Sequence, residues 1–350
     1  MSNSASYGIG IVGCGRAAMD LHLPALRQLP GARVVALADA DPAALAAAAG
    51  RYGVTVCAAD TAGLLAVPGI DVMAVCVPAA GHAAAALPAI EAGRHVLIEK
   101  PLAPDRAGCE SLVEAAARSA GRSAVGFNLR FHRLVQAARA FITSGQLGDI
   151  EAITSTWTSA IRRRRDVPAW RNDRASGGGA LFEIAVHHFD LWCYLLGTDI
   201  ALIQAQGRNG EFRDETVAVT ARLASGAVAN GLFSERSGDH NTLDIVGREG
   251  RLSLDLYRYD GFAFAPADAE PGLGARLRRS MAAVASLPRG VALMRQGGDF
   301  LLSYRRQWQA FLDSLDGGAY AGASLADGAA AVRAVLAAIE SADGGGPVQP

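Results

Sequence analysis

The sequence predicts an α/β protein in two parts: a doubly wound parallel sheet over the first third, then a second α/β domain with a mostly antiparallel open sheet. Three observations predict it. Apolar β-branched runs alternate with alanine-rich helical stretches as far as about Phe127; strand-like segments then follow one another at hairpin-length spacing; helical patterns close the chain.

The first element is the segment GIGIVGCGRAA, in which Ile9, Ile11 and Val12 suit a buried parallel strand. Gly13, Gly15 and Ala18 follow at the spacing G-x-G-x-x-[G/A]. Gly13 permits a tight turn, Gly15 lets a pyrophosphate approach the backbone, and Ala18 keeps the next helix close to the strand. That helix would aim its free N–H groups at the phosphates. A second strand, Arg33 to Ala38, ends at Asp39, 21 positions after Ala18, where a carboxylate can accept hydrogen bonds from a ribose diol. A dinucleotide cofactor is the reading these elements support. The Asp39 charge repels a 2′-phosphate, and Ala40 and Asp41 offer no basic partner for one, so NAD is favoured, with NADP as the alternative.

Further parallel strands are expected at Val34 to Leu37, Val72 to Val77 and Val96 to Ile98, with Ala43 to Ala49 and Ala83 to Ala86 as plain helix, since alanine is the strongest helix former. Beyond Phe127 come an amphipathic helix from Phe131 to Ser144, a strand from Ile150 to Trp157, a glycine-rich loop and a helix from Ala180 to Leu196. Strands then fall at Ile200 to Gly207, Thr216 to Leu223, Ala227 to Ser234, Thr242 to Val246 and Arg251 to Leu256. Helices at Phe300 to Leu315 and Leu325 to Ser341 end the pattern. The stretch from Gly261 to Gly298, rich in Gly, Pro and Ala with an Arg-bearing helical piece around Ala275 to Ala285, reads as a lid or an insertion. The division expected is residues 1–127 and 128–350, with the closing helices free to pack back on the first domain.

Composition narrows the function. A chain of 350 residues with 51% hydrophobic content can bury two cores. With 33 basic against 34 acidic side chains and a net charge of −1, it has no field to attract nucleic acid or an anionic membrane. The five cysteines are scattered, without a CxxC pair or metal-type spacing, which fits a reducing cytoplasm. The polar start MSNSASYG lacks the features of a signal peptide, and no apolar run is long enough for a bilayer.

Two constellations carry chemistry. Lys100 follows the strand His95 to Ile98 and Glu99, and the carboxyl ends of strands are where open α/β sheets hold ligands. A lysine beside an oxidised nicotinamide can exchange a proton near neutrality. The plain alternative is a surface lysine, and the Lys100–Pro101 bond is a candidate for the cis form. In the second, Ser176 to Asp190, Glu183 and His187 lie four apart and share a helix face, with Asp190 three residues on. Metal chelation is the rival reading, but no further ligand set accompanies the pair, and His188 reads as structural. Arg130, Trp170 and Arg171 are placed to reach a substrate. The run Arg162 to Arg165 reads first as a solvated loop and second as an anion clamp.

These motifs, GIVGCGRAA, the acid in ALADAD, His82 before AGRHVLIEKP, VGFNLRF and GGGALFEIAVHHFDLWCYLLG, stand in the order of the glucose-fructose oxidoreductase, inositol dehydrogenase and MocA-like family, which the chain resembles over nearly its whole length. The resemblance implies an N-terminal Rossmann domain, a C-terminal α/β domain whose open sheet serves as an oligomer interface in a homodimer or homotetramer, and NAD(P)-dependent oxidation or reduction of a sugar, cyclitol or related polyol. It makes Lys100 the residue that holds and helps deprotonate the reacting hydroxyl, and His187 the histidine near the substrate; Glu183, four residues before His187, is expected to orient it. The resemblance places Arg16, Pro78, His82 and Glu99 with Gly13, Gly15, Ala18 and Asp39 around the cofactor. One departure stands out: Glu183 occupies a position where the family usually has Asp. Transient oxidation that enables glycosidic cleavage, and a noncatalytic cofactor-binding sensor, are the other activities such a fold supports.

Overall fold

The computed structural model of the protein describes residues 6–269, 281, 284, 288 and 290–350. Apart from Met281 and Val284, the helical piece expected around Ala275 to Ala285 lies outside them. The chain forms two compact units: Met1–Asn128 with Asp173–Gly178 and Tyr304–Arg333, and Leu129–Asn172 with Gly179–Ser303 and Ala334–Pro350.

The first unit holds a six-stranded sheet of β1 (Tyr7–Val12), β2 (Ala32–Ala38), β3 (Val56–Ala58), β4 (Val72–Val75), β5 (His95–Ile98) and β6 (Ser123–Val125). All neighbours are parallel, in the order β3-β2-β1-β4-β5-β6. Strand order reverses between β1 and β4, and the crevice outside their carboxyl ends is where such sheets bind dinucleotides. Helices α1 (Pro42–Tyr52), α2 (His82–Glu91) and α3 (Arg106–Arg118) return the chain between strands. Their starts are locally encoded: the Asp41 side chain accepts the Ala43 N–H and Asp105 accepts that of Gly108, each satisfying a donor the helix leaves free. Ile9, Ile11, Leu37, Val72, Ala74 and Leu97 form the core with Tyr304, Trp308 and Phe311.

One expected element differs. The glycine turn is followed by the expected helix in irregular form: it opens at Arg16, where the Met19 N–H bonds the Gly15 carbonyl at 2.9 Å, widens to a π-type turn over Ala18–His22 and ends on Leu23–Leu26. Pro24 explains it: with no N–H it cannot return a bond to Asp20, and the Leu23 N–H reaches instead to the Ala18 carbonyl.

The second unit is built on β7 (Ile150–Thr158), β8 (Ile200–Arg208), β9 (Thr216–Leu223), β10 (Val228–Ser234), β11 (His240–Gly247), β12 (Gly250–Asp255) and β13 (Phe262–Pro266), ordered β13-β12-β11-β7-β10-β9-β8. Every pairing is antiparallel except β7 with β10. β9 shows the period-2 signature: Val217, Val219, Ala221 and Leu223 are buried, while Ala218, Thr220 and Arg222 face outward. Against the inner face lie α4 (Arg133–Thr143) and α5 (Val186–Leu196), with Trp192, Phe189 and Phe233 packed ring against ring. Two further helices, α6 (Gly298–Leu315) and α7 (Leu325–Gly344), follow, and their stretch Tyr304–Arg333 belongs to the first unit. β13 falls in the segment that sequence composition left as lid or insertion. No described helix is long and apolar enough to cross a membrane, and the five cysteines are free thiols.

Candidate active site

The turn after β1 has the shape a dinucleotide requires. Gly13 sits at φ +92°, and a Cβ there would lie 2.5 Å from the Cys76 carbonyl carbon and the Val77 nitrogen, so only glycine fits. Above Gly15 the reverse holds, since a Cβ would meet nothing within 4 Å, leaving the backbone open to a phosphate. Ala18 is fully buried. Asp39 is fixed at the end of β2 by two backbone donors, Cys14 N–H to Oδ2 at 2.6 Å and Asp41 N–H to Oδ1 at 2.8 Å. Arg16 lies on the exposed side in an ion pair with Asp20 at 3.5 Å. A glycine cradle with a carboxylate at its far edge fits a dinucleotide.

Lys100 is half-buried at the carboxyl end of β5, and the Lys100–Pro101 peptide is cis. Glu99 is 6% exposed and turned inward. Its Oε1 lies 2.8 Å from His22 Nε2, and its Oε2 accepts the Lys100 backbone N–H at 3.0 Å. Burial works against ionisation of this carboxyl, but the hydrogen bond from His22, with the charge and backbone N–H of Lys100, holds it below the usual carboxylate range. His82 is also buried, its Nδ1 2.8 Å from the Pro101 carbonyl and its Nε2 2.9 Å from that of Val77. Burial pushes this imidazole down against the pull of those carbonyls; in its neutral form it donates to one and contacts the other. It thereby ties the loop after β4 to the loop after β5. Pro78, next to Val77, is exposed.

In the second unit the helix carrying His187 begins with another wide turn, Leu181–Ala185, before α5 runs to Leu196 and ends on Gly197 in the left-handed conformation. His187 is buried against Trp157, ring centroids 5.4 Å apart. Glu183 Oε2 accepts from Arg171 Nη2 at 2.7 Å, and the same nitrogen donates to Glu235 Oε1 at 2.8 Å. The other Glu235 oxygen accepts from Arg162 Nε at 2.9 Å and Nη2 at 2.7 Å, while the Arg162 guanidinium lies 3.7 Å over the Phe212 ring. Two arginines and two glutamates thus close into one network. This corrects the reading of Arg162 to Arg165 as a uniformly solvated loop: Arg162 turns inward because Glu235 is 1% exposed and needs a counter-charge. Arg164 pairs with Asp239, and Arg163 and Arg165 are exposed.

Arg130 and Asp190 are also drawn together, inside the unit. Arg130 Nε donates to both Asp190 oxygens at 3.1 and 2.9 Å, its Nη2 reaches Oδ1 at 2.6 Å, and the guanidinium lies 4.7 Å over Tyr194. Asp190 therefore faces Arg130 rather than extending a stripe with Glu183 and His187. His188 is fully buried, its Nε2 3.1 Å from Asn241 Oδ1, and burial pushes its pKa down to about 3, the neutral structural role expected of it. Trp170 is half-buried in the short turn Ala169–Asn172. Among the described residues no group of three or more His, Cys, Asp or Glu is placed to hold a metal ion. Sequence reading missed His22, Trp157 and Glu235; each is a single residue in an unremarkable context, and its partner is distant in the chain.

Comparison with known proteins agrees with this geometry. Residues 7–127 match the GFO/IDH/MocA model described as an oxidoreductase family with an NAD-binding Rossmann fold, and residues 135–253 match the GFO/IDH/MocA C-terminal domain. The chain is 30% identical over 351 residues to inositol 2-dehydrogenase of Burkholderia cenocepacia (strain HI2424), covering 98% of this chain and 95% of that enzyme. It is 29% identical over 271 residues to inositol 2-dehydrogenase of Rhizobium meliloti (strain 1021), covering 74% and 78%. In fold it is similar to the WlbA dehydrogenase from Bordetella pertussis, crystallised with NADH and UDP-GlcNAcA, at a TM-score of 0.82 and 22% identity over 99% and 98% of the two chains. The chain belongs to the GFO/IDH/MocA oxidoreductase family, and its cofactor is NAD.

Proposed function

We propose that this protein is an NAD-dependent dehydrogenase acting on a secondary hydroxyl of a neutral sugar or cyclitol. The observation that carries this reading is Lys100, half-buried at the carboxyl end of β5 with its backbone held by Glu99. Bound NAD supplies the hydride acceptor. Lys100 holds the substrate hydroxyl and takes its proton, and His187, steadied by the Trp157 ring, is the histidine that the family resemblance assigns to the substrate. Glu183, held by Arg171, orients His187. The fixed Asp39 carboxylate selects NAD over NADP.

The substrate class rests on charge. Arg162 and Arg171 are each neutralised by buried glutamate, and Arg130 by Asp190, which favours a neutral polyol over an anionic nucleotide-sugar. The names of the inositol dehydrogenase relatives support the same class. The outward face of the second sheet, with Thr154, Thr156, Thr220 and Asn230 around the exposed Val228 and Leu232, suits pairing with another copy as a homodimer or homotetramer. A panel of cyclitols, free sugars and nucleotide-sugars with NAD and NADP, read by absorbance of the reduced nicotinamide, tests the reading. Turnover of a neutral polyol with NAD is expected; turnover confined to nucleotide-sugars, or net glycoside cleavage without NADH accumulating, would overturn it.

A further inference from the structure

We propose that His22 is a positioning residue for Lys100, acting through Glu99 as a neutral hydrogen-bond donor whose tautomer is fixed by Trp308. The inference rests on the reading of Lys100 as the proton-transfer residue. All four side chains belong to the first unit, and three are almost wholly enclosed: His22 at 1%, Glu99 at 6% and Trp308 at 0% exposure.

The Trp308 indole Nε1–H donates to His22 Nδ1 at 3.0 Å. An indole nitrogen can only donate, so Nδ1 keeps its lone pair and the ring proton sits on Nε2, 2.8 Å from Glu99 Oε1. Burial opposes a charged imidazole, while Cys76 and the Glu99 carboxylate favour one strongly enough to push the pKa up to about 10. Trp308 works against that pull, because a protonated Nδ1 would set two N–H groups head to head between side chains 1% and 0% exposed. Tyr304 closes the remaining side, its ring meeting the imidazole edge-on at 5.3 Å. Gly126 keeps one side of Glu99 clear, since a Cβ there would lie 3.1 Å from its Oε1 and 3.3 Å from its Cα. Its second oxygen is bonded to the Lys100 backbone N–H. An unbroken chain of hydrogen bonds therefore runs from α6 to the amide of the residue proposed to move the proton. Nothing in it titrates near neutrality while the indole donor is present.

The test compares His22→Leu, His22→Gln and Trp308→Phe with the parent enzyme on a substrate from the panel, with Lys100→Met assayed alongside. Displacing a reacting group by about 1 Å costs on the order of 10²-fold, so His22→Leu should lower kcat roughly 10- to 100-fold. Its KM for NAD should stay within about twofold, because the interaction matters to the reacting geometry and not to cofactor affinity. His22→Gln keeps a neutral N–H towards Glu99 and should restore kcat to within about fivefold of the parent, with a superimposable pH profile. Trp308→Phe removes only the indole donor, freeing Nδ1 to protonate, and should add an acid limb to that profile. An undiminished kcat in His22→Leu, an equal loss in Leu and Gln variants, or an unaltered profile in Trp308→Phe overturns the proposal. If Lys100→Met keeps full turnover, the reading of Lys100 fails; if it is impaired while His22→Leu is not, only the inference about His22 fails. Should His22→Leu not fold, the Gln and Phe variants carry the test.

Discussion

Replacing Arg130 with Met separates a structural arginine from one that serves a substrate. The Arg130–Asp190 pair makes three hydrogen bonds of 2.6 to 3.1 Å with side chains 7% and 2% exposed. Methionine fills much of the same volume under the Tyr194 ring but strands the Asp190 carboxylate in the interior. Removing one partner of such a pair costs about 3–5 kcal/mol, because the remaining charge has lost its compensation. For a domain of this size each kcal/mol is worth about 2–4 °C, so Tm should fall by on the order of 10 °C. Adding Asp190→Leu removes the stranded charge and should recover most of the loss. The assay is thermal unfolding of the parent, the single variant and the double variant, beside KM for substrate. An Arg130→Met enzyme with unaltered Tm and a KM raised tenfold or more would refute the argument and return Arg130 to the substrate.

His188 sets a dependence of stability on acidity. Its pKa of about 3 in the fold lies below the ordinary 6.5, so the unfolded chain takes up the proton first as pH falls. Nothing is lost above pH 6.5; below it stability declines by ~1.4 kcal/mol per pH unit, reaching about 2.7 kcal/mol at pH 4.5. Urea midpoints against pH for the parent and His188→Asn should therefore diverge below pH 6.5, and parallel curves would contradict this. At the cofactor, Asp39→Ser removes a charge repulsion of about 1–4 kcal/mol against a 2′-phosphate, so the NAD to NADP ratio of kcat/KM should fall roughly tenfold or more. An unmoved ratio would show that Asp39 does not choose the cofactor.

What could be read from the sequence was what is encoded locally. The turn Gly13 to Ala18 and Asp39 need only the residues beside them, and the second sheet announced itself through alternation such as Val217, Val219, Ala221 and Leu223. Strands β3 and β6 escaped because three residues are too few to show a period, and β13 because Gly, Pro and Ala surround it. The helices after Gly15 and from Ala180 to Leu196 were legible, but not their wide turns at Ala18–His22 and Leu181–Ala185, which depart from the 3.6-residue repeat. The buried ion pairs were illegible for a different reason. Arg162 meets Glu235 across 73 positions and Arg130 meets Asp190 across 60. No local pattern records such pairings; only the folded backbone brings the charges close enough to need one another.

In the proposed function Lys100 moves the proton of the substrate hydroxyl. Its most direct measurement is turnover and NAD affinity of Lys100→Met on the best polyol of the panel. Loss of a general acid or base lowers kcat by ~10² to 10⁴ while the dissociation constant for NAD stays put. A methionine variant that turns over at the parent rate, or one whose only defect is failure to bind NAD, would contradict the claim.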